Sequence, residues 1–183
     1  GVSDAGIWKS TNDGTSWTRI TPVGFPTNYS RVVIAVAPSD QNRIYILANT
    51  PGSGKEGHSF WASSNAGVSW SNYSSNLPDT EGNVAGYSSQ GSYNMVIAVK
   101  PDNPNVVIFG GTNLHRSTNG MTTKLTNTYS NWIGGYSTAN DISQYTNHHP
   151  DIHALAFAPY NSSILYCGDD GGVQQTTDIL RGT

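Results

Sequence analysis

Three apolar segments share one pattern along the chain and predict β-hairpins. Each is apolar or β-branched and is closed by a proline, and a second apolar stretch begins six residues beyond each proline. Asn, Asp and Ser dominate the residues in between, and their side chains favour tight turns. The pattern therefore predicts strand, turn and strand three times over. The paired segments are 33–37 with 44–46, 96–99 with 107–109, and 154–158 with 165–167.

A second pattern alternates with these hairpins. Residues 8–17 (WKSTNDGTSW) align with residues 61–70 (WASSNAGVSW), and shorter copies without the final Trp begin at Ser117 and Thr176. Equivalent positions in the four copies are 53, 54 and 59 residues apart, slightly more than the roughly 40–50 residues of common propeller blades. Two hairpins in each period predict a four-stranded antiparallel blade. No 3.6-residue periodicity is sustained, so we expect almost no helix.

The first two copies resemble the Asp-box, or BNR repeat, written S-x-D-x-G-x-S/T-W. The resemblance implies a turn between the third and fourth strands of blades, as in sialidases, family 74 glycoside hydrolases and sortilin-type propellers, on the side away from the usual binding surface. Such a turn uses hydroxyl and amide side chains to bond its own backbone, with a Trp packed under it. Because the last two copies lack the Trp, we expect looser turns there. The residues with this structural role are Ser10, Asn12, Gly14, Trp17, Ser63, Asn65, Gly67 and Trp70.

The repeat predicts an all-β fold, a β-propeller of four-stranded antiparallel blades of which about three are present. We expect the end of one blade in residues 1–30, blades in 31–93 and 94–151, and the start of a further blade in 152–183. Closed propellers use about four to eight blades. We therefore expect a partial propeller, completed by the remainder of a longer chain or by a second chain.

Composition narrows the classes of function. Charged residues make up 11% and the net charge is −3, which removes the basic surface that nucleic acid requires. No apolar run reaches the roughly 20 residues of a membrane-spanning helix. The single cysteine, Cys167, excludes an intrachain disulfide and a site built from several cysteines. We expect no cofactor, and a secreted or cell-surface location in a bacterial protein.

Two long loops, residues 71–93 and 121–150, carry aromatic residues among Ser, Asn and Gly. Aromatic rings stack on sugar faces while amides bond the sugar hydroxyls. We therefore expect a binding or scaffold module for carbohydrate or for another protein. The alternative, equally open, is that these rings pack inside loops that have few aliphatic residues. The candidate ligand-binding residues are Tyr87, Tyr93, Trp132, Tyr136 and Tyr145.

The densest polar cluster is residues 147–153 (NHHPDIH), which leads into the strand at 154–158. In an extended strand Asp151 and His153 point to the same side. Imidazole and carboxylate groups can bind a ligand, hold a divalent metal or act as a base; structural hydrogen bonding is the alternative. The ligand-binding candidates here are His148, His149, Asp151 and His153, and the metal candidates are His149, Asp151 and His153.

Residues 168–172 (GDDGG) resemble strand turns that carry catalytic aspartates in family 74 glycoside hydrolases. The resemblance implies Asp169 as one catalytic carboxylate, with Asp170 beside it as a candidate ligand-binding residue. Glycoside hydrolysis needs two carboxyl groups about 5–9.5 Å apart, and the sequence offers no convincing second one. The alternative is a tight turn, in which case Asp169 accepts hydrogen bonds from its own turn and the catalytic hypothesis fails. Glycoside hydrolysis is therefore the second hypothesis, after binding.

Overall fold

The computed structural model describes residues 5–80, 86–126, 128, 130–136 and 148–182. In these residues, strands form four antiparallel sheets, each ordered as in the chain. One turn of 3₁₀ helix, Ser74–Asn76, accompanies them, and no helix there is long and apolar enough to cross a membrane. The strands are β1 (Trp8–Lys9) and β2 (Thr18–Arg19) in the first sheet; β3 (Arg31–Ala37), β4 (Asp40–Asn49), β5 (His58–Ser63) and β6 (Ser71–Asn72) in the second; β7 (Val96–Val99), β8 (Val107–Gly110), β9 (Leu114–Ser117) and β10 (Trp132–Gly134) in the third; and β11 (Ile152–Ala158), β12 (Asn161–Asp169) and β13 (Gly172–Thr176) in the fourth.

The sheets pack face to face in chain order because their strands are apolar on both faces. In β4, Leu47 packs against the third sheet while its neighbour Ile46 packs against the first. In β8, Phe109 faces the second sheet and Ile108 faces the fourth. Successive side chains of a strand point to opposite faces, so each central strand fills two cores. This arrangement is that of propeller blades.

Polar side chains also join successive sheets. The Trp70 indole donates to the Ile20 carbonyl at 2.7 Å, between the second and first sheets. The Tyr45 hydroxyl donates to the Pro104 carbonyl at 2.8 Å, between the second and third. Arg116 of β9 is fully buried and donates to the Ile179 carbonyl at 2.6 Å, just beyond β13. Each sheet is therefore held to its neighbour by apolar packing and by hydrogen bonds to the neighbour's backbone.

The Asp-box turns join β1 to β2 and β5 to β6. In the first turn Ser10 Oγ accepts the Gly14 N–H at 2.8 Å, and Asn12 Oδ1 accepts the Ser16 N–H at 2.9 Å. The second turn repeats both bonds, from Ser63 Oγ and Asn65 Oδ1. The Ser and Asn side chains of each box thus accept hydrogen bonds from backbone N–H groups of their own turn.

The third copy, for which we expect a looser turn, keeps part of the hydrogen bonding of the first two boxes. Ser117 Oγ accepts the Met121 N–H at 2.9 Å, and Asn119 Nδ2 donates to Thr123 Oγ1 at 2.6 Å. Met121 takes the place of the box glycine and adopts a positive φ of 66°. Of the two backbone bonds that close the first two boxes, the described residues of the third keep the one to the serine hydroxyl, so the looser turn stays a prediction. In the first box the Trp17 indole, although the residue is 54% exposed, also donates to the Gly14 carbonyl at 3.1 Å.

Candidate functional site

The end of the sheets opposite the Asp-box turns gathers the loops that precede each first strand. Two of these loops are bonded through their backbones to the turn between β8 and β9. The Thr112 N–H donates to the Ser88 carbonyl at 2.8 Å, and the Asp151 N–H donates to the Thr112 carbonyl at 2.9 Å. The loops before β7 and β11 therefore form one platform with the turn between β8 and β9.

The Asp151 side chain adds hydrogen bonds to this platform. It is 9% exposed, and its Oδ1 accepts hydrogen bonds from Gln90 Nε2 and Asn94 Nδ2, both at 2.6 Å. Its φ is +66°, and it precedes β11, where the register shifts at His153. The expectation that Asp151 and His153 point to the same side assumed a regular strand, and the bulge and the positive φ remove that regularity. Asp151 is a buried support rather than a surface group.

Four residues at the same end of the sheets are linked by successive contacts. We call this set, Arg31, Tyr93, His153 and Asp170, the Tyr93 strip. Arg31, at the start of β3, donates from Nη1 to the Ser92 and Tyr93 carbonyls at 2.9 Å. The Tyr93 ring meets His153 edge-on with ring centres 5.0 Å apart. His153 Nε2 lies 2.7 Å from Asp170 Oδ1. The strip extends over the ends of the second, third and fourth sheets, and Tyr93 is 61% exposed.

The other predicted aromatic residues divide into two groups. Tyr136 is 48% exposed, and Asn113 holds its backbone N–H at 2.9 Å. Tyr87 and Trp132 are 1% and 0% exposed. The Tyr87 hydroxyl and the Trp132 indole N–H each donate a hydrogen bond to a backbone carbonyl. For these two the structure favours the alternative of packing within the fold. Tyr145 lies outside the described residues.

A second polar group is buried between the third and fourth sheets. The ligand atoms of His148, Cys167 and Asp169 all lie within 4.8 Å of one another. The side chains of His148 and Asp169 are 6% and 0% exposed, and His148 Nδ1 is 3.8 Å from Asp169 Oδ2. Asp169 Oδ1 accepts the Gly171 N–H at 3.0 Å, within its own turn. The catalytic hypothesis requires that Asp169 does not accept hydrogen bonds from its own turn, so this bond counts against Asp169 as the catalytic carboxylate.

Burial sets the protonation of this group. It lowers the pKa of His148, although the His149 carbonyl and the Asp169 carboxylate act in the opposite direction. Burial also raises the pKa of the Cys167 thiol to about 12, and the Asp169 charge adds to that effect. At neutral pH the imidazole is therefore neutral and the thiol keeps its proton.

The metal candidates predicted from the sequence are not brought together. His149 Nδ1 faces the Pro150 carbonyl at 3.0 Å, Asp151 is bonded to two amides, and His153 is paired with Asp170. Within the described residues, the geometry that could hold an ion belongs to His148, Cys167 and Asp169 instead. Strand alternation carries a signal for part of this group, because Cys167 and Asp169 are two residues apart in β12 and share a face.

Sequence reasoning missed three side chains that build the site. Arg31, Gln90 and Asn94 hold Tyr93 and Asp151 in place across 57 to 62 residues of sequence separation. They lie in polar segments that have no distinguishing spacing, so the sequence alone contains no signal for these contacts.

The comparisons agree with the fold. No protein-family model matches the sequence, and no curated protein matches it. Three crystal structures of family 74 glycoside hydrolases do match in structure. An ancestral enzyme of the family superposes with a TM-score of 0.57 at 19% identity, over 94% of this chain and 20% of that one. The Niastella koreensis enzyme gives 0.51 at 20%, over 99% and 32%, and the Xanthomonas campestris xyloglucanase gives 0.56 at 20%, over 94% and 24%.

These likenesses establish the class of fold. The chain is an all-β partial propeller whose antiparallel sheets match part of the family 74 enzymes. It spans between a fifth and a third of the length of the three enzymes.

Proposed function

We propose that the chain is part of a β-propeller that binds carbohydrate on the Tyr93 strip. The observation that carries the proposal is the Tyr93 ring, which stays 61% exposed while Arg31 holds its backbone and His153 meets its edge. An exposed aromatic ring that is already fixed loses little entropy on stacking against a sugar.

The neighbours of Tyr93 suit a sugar as well as the ring does. The His153 and Asp170 side chains are 34% and 43% exposed, so they remain accessible to sugar hydroxyls as hydrogen-bonding groups. Tyr136, exposed at the same end, offers a second ring. A few polar groups around aromatic surface are the usual lining of a small-molecule site. Another protein is the alternative ligand for the same strip.

The test compares two exposed tyrosines, Tyr93 in the loop before β7 and Tyr160 in the fourth sheet. Binding of xyloglucan oligosaccharides and of a glycan array is measured for the intact chain and for Tyr93→Ala. Removing an anchoring aromatic ring is expected to weaken binding about tenfold or more. Tyr160 is 76% exposed in the turn between β11 and β12, at the opposite end of the sheet, so Tyr160→Ala is the matched control and should bind normally. Equal affinities for the two variants, or no glycan bound by the folded chain, would refute the proposal.

Glycoside hydrolysis is the second candidate, favoured by the three enzymes whose folds match. Asp169 is poorly suited to it, because its side chain is fully buried and bonded to its own turn. Release of reducing ends from xyloglucan by the intact chain, abolished in Asp169→Asn but retained in Tyr160→Ala, would support hydrolysis. Release that persists in Asp169→Asn would exclude Asp169 as a catalytic residue.

We also propose that the ring is completed by the remainder of a longer protein or by a second chain, in a secreted or cell-surface setting. The supporting facts are the share of the family 74 enzymes that the chain spans and the exposure of Val173, at 76%, on β13. Light scattering on the purified chain distinguishes self-association from a monomer that needs further blades.

A further inference from the structure

The buried group of His148, Cys167 and Asp169 is separate from the Tyr93 strip and plays no part in the proposed binding. Two of its members belong to β12, on the face that packs against the third sheet. His148 comes from the segment before β11, and its ring lies against Gly134 of β10, where an added Cβ would be 2.7 Å from the ring. The group therefore joins the third and fourth sheets.

The hydrogen bonds of this group are incomplete in a particular way. His148 Nδ1 is 2.9 Å from the His149 carbonyl, so it carries the ring proton and donates it there. Nε2 is then left with a lone pair, and it is buried without a partner among the residues that the structure describes. Asp169 Oδ2 is buried without a partner as well. The Cys167 thiol makes only a 4.0 Å contact with the Gly168 carbonyl.

We propose that His148, Cys167 and Asp169 bind one divalent transition-metal ion of the zinc class. Imidazole nitrogen, thiolate sulfur and carboxylate oxygen are the ligands that zinc takes in proteins. A tetrahedral zinc ion places its ligand atoms about 3.5 Å apart, and these atoms already lie within 4.8 Å of one another. Because His148 Nδ1, at 3.8 Å from Asp169 Oδ2, is engaged with the His149 carbonyl, binding requires the side chains to rotate until Nε2, the Cys167 sulfur and an Asp169 oxygen reach that spacing.

The surroundings supply the support that metal ligands need. The His149 carbonyl fixes the tautomer of His148, and the Gly171 N–H orients the Asp169 carboxylate. Metal-binding histidines regularly donate their other ring N–H to a carbonyl or carboxylate in this way. On binding, the ion takes the place of the Cys167 proton, which is released to solvent, and the sulfur coordinates the metal as thiolate.

A cavity beside the group leaves room for a fourth ligand. It has a volume of about 70 Å³ and is lined by apolar residues of both sheets and by the polar residues His148, Cys167, Gln174, Gln175 and Thr176. A water molecule needs about 10–15 Å³ of such space. Three protein ligands and one water make a four-coordinate site with an exchangeable position.

The experiment uses cobalt(II) and zinc(II) with the intact chain after treatment with a chelator. Cobalt bound to a thiolate gives a charge-transfer band and visible bands of tetrahedral geometry, so the spectrum reports the sulfur ligand directly. We expect one cobalt per chain, displaced by one zinc, and a melting temperature that rises with zinc concentration.

Variants assign the ligands. Cys167→Ala should remove the charge-transfer band, and His148→Gln and Asp169→Asn should weaken cobalt binding by more than the roughly 10–100-fold that a lost second-shell partner costs. His153→Gln and Asp170→Asn form the matched control, an exposed His–Asp pair on the same hairpin, and should bind cobalt normally. Circular dichroism of each metal-free variant checks that it folds.

Each outcome decides the proposal. A thiolate band that is lost in Cys167→Ala and retained in the control supports it. Absence of the band, or binding that falls only in the His153 and Asp170 variants, overturns it. If a ligand variant fails to fold, the band and stoichiometry of the unmodified chain still decide, together with protection of its melting temperature by zinc.

Discussion

Two histidine–aspartate pairs use consecutive aspartates at the end of β12, and their surroundings are opposite. His153 and Asp170 lie 2.7 Å apart with side chains 34% and 43% exposed. His148 and Asp169 lie 3.8 Å apart with side chains 6% and 0% exposed. Alternation along the strand sends Asp169 between the sheets, while the hairpin turn turns Asp170 outward.

The comparison shows how burial changes what the same residue types can do. In the exposed pair, water screens both groups, and each remains accessible to a ligand at the surface. In the buried pair, His148 Nε2 and Asp169 Oδ2 have no partner among the described residues, and such atoms are costly unless an ion, or water from the adjoining cavity, binds them. One hairpin thus presents the proposed binding strip on one side and a candidate metal site on the other.

The largest effect is expected from crowding the buried pair. A Cβ at Gly134 would lie 2.7 Å from the His148 ring, whereas a Cβ at Gly168 would lie 3.4 Å from the Ala154 side chain. Gly134→Ala should therefore lower the free energy of unfolding by about 1–3 kcal/mol, as overpacking does. Gly168→Ala should leave it within about 0.5 kcal/mol of the unmodified chain. Denaturant unfolding in chelator measures both, and similar losses for the two would contradict the distinction.

An effect that is smaller over a single pH unit should separate buried from exposed histidines. His115 is fully buried, neither of its ring nitrogens has a hydrogen-bond partner within the described part of the chain, and burial lowers its pKa to about 3. Above the unfolded pKa of about 6.5, His115 is neutral in both the folded and the unfolded chain, so it does not lower the free energy of unfolding. Below that value the unfolded chain binds the extra proton, so stability falls by about 1.4 kcal/mol per pH unit until the folded pKa is reached.

The measurement is denaturant unfolding between neutral and mildly acidic pH, with His115→Phe against His153→Gln. Phe keeps the stacking on Phe109, which has ring centres 5.4 Å apart at 26°, and it cannot take up a proton. His115→Phe should therefore reduce the acid dependence, and the part that remains belongs to other buried histidines such as His148. His153→Gln should leave it unchanged, and a flattening there instead would show that the exposed histidine is responsible.

The sequence predicts the fold better than it predicts these pairs, and the reason is the range of the interactions. The hairpin at Val33–Ala37 and the box at Ser63–Trp70 are local, so apolar alternation and turn chemistry suffice to predict them. The site depends on distant partners, such as Arg31 bonded to the Tyr93 carbonyl and Asp151 bonded to Asn94. Which of Asp169 and Asp170 is buried depends on strand register, and a bulge at His153 interrupts that register.

The smallest effect is expected at the exposed pair itself. Because His153 and Asp170 are both partly solvated, their contact should contribute little to folding even though it is short. His153→Gln, Asp170→Asn and the double variant form a thermodynamic cycle in which the coupling free energy should be about 0.2–1 kcal/mol. The coupling should shrink in high salt, since salt screens exposed charges. A coupling well above 1 kcal/mol that salt does not reduce would mean that the surface pair behaves like a buried one.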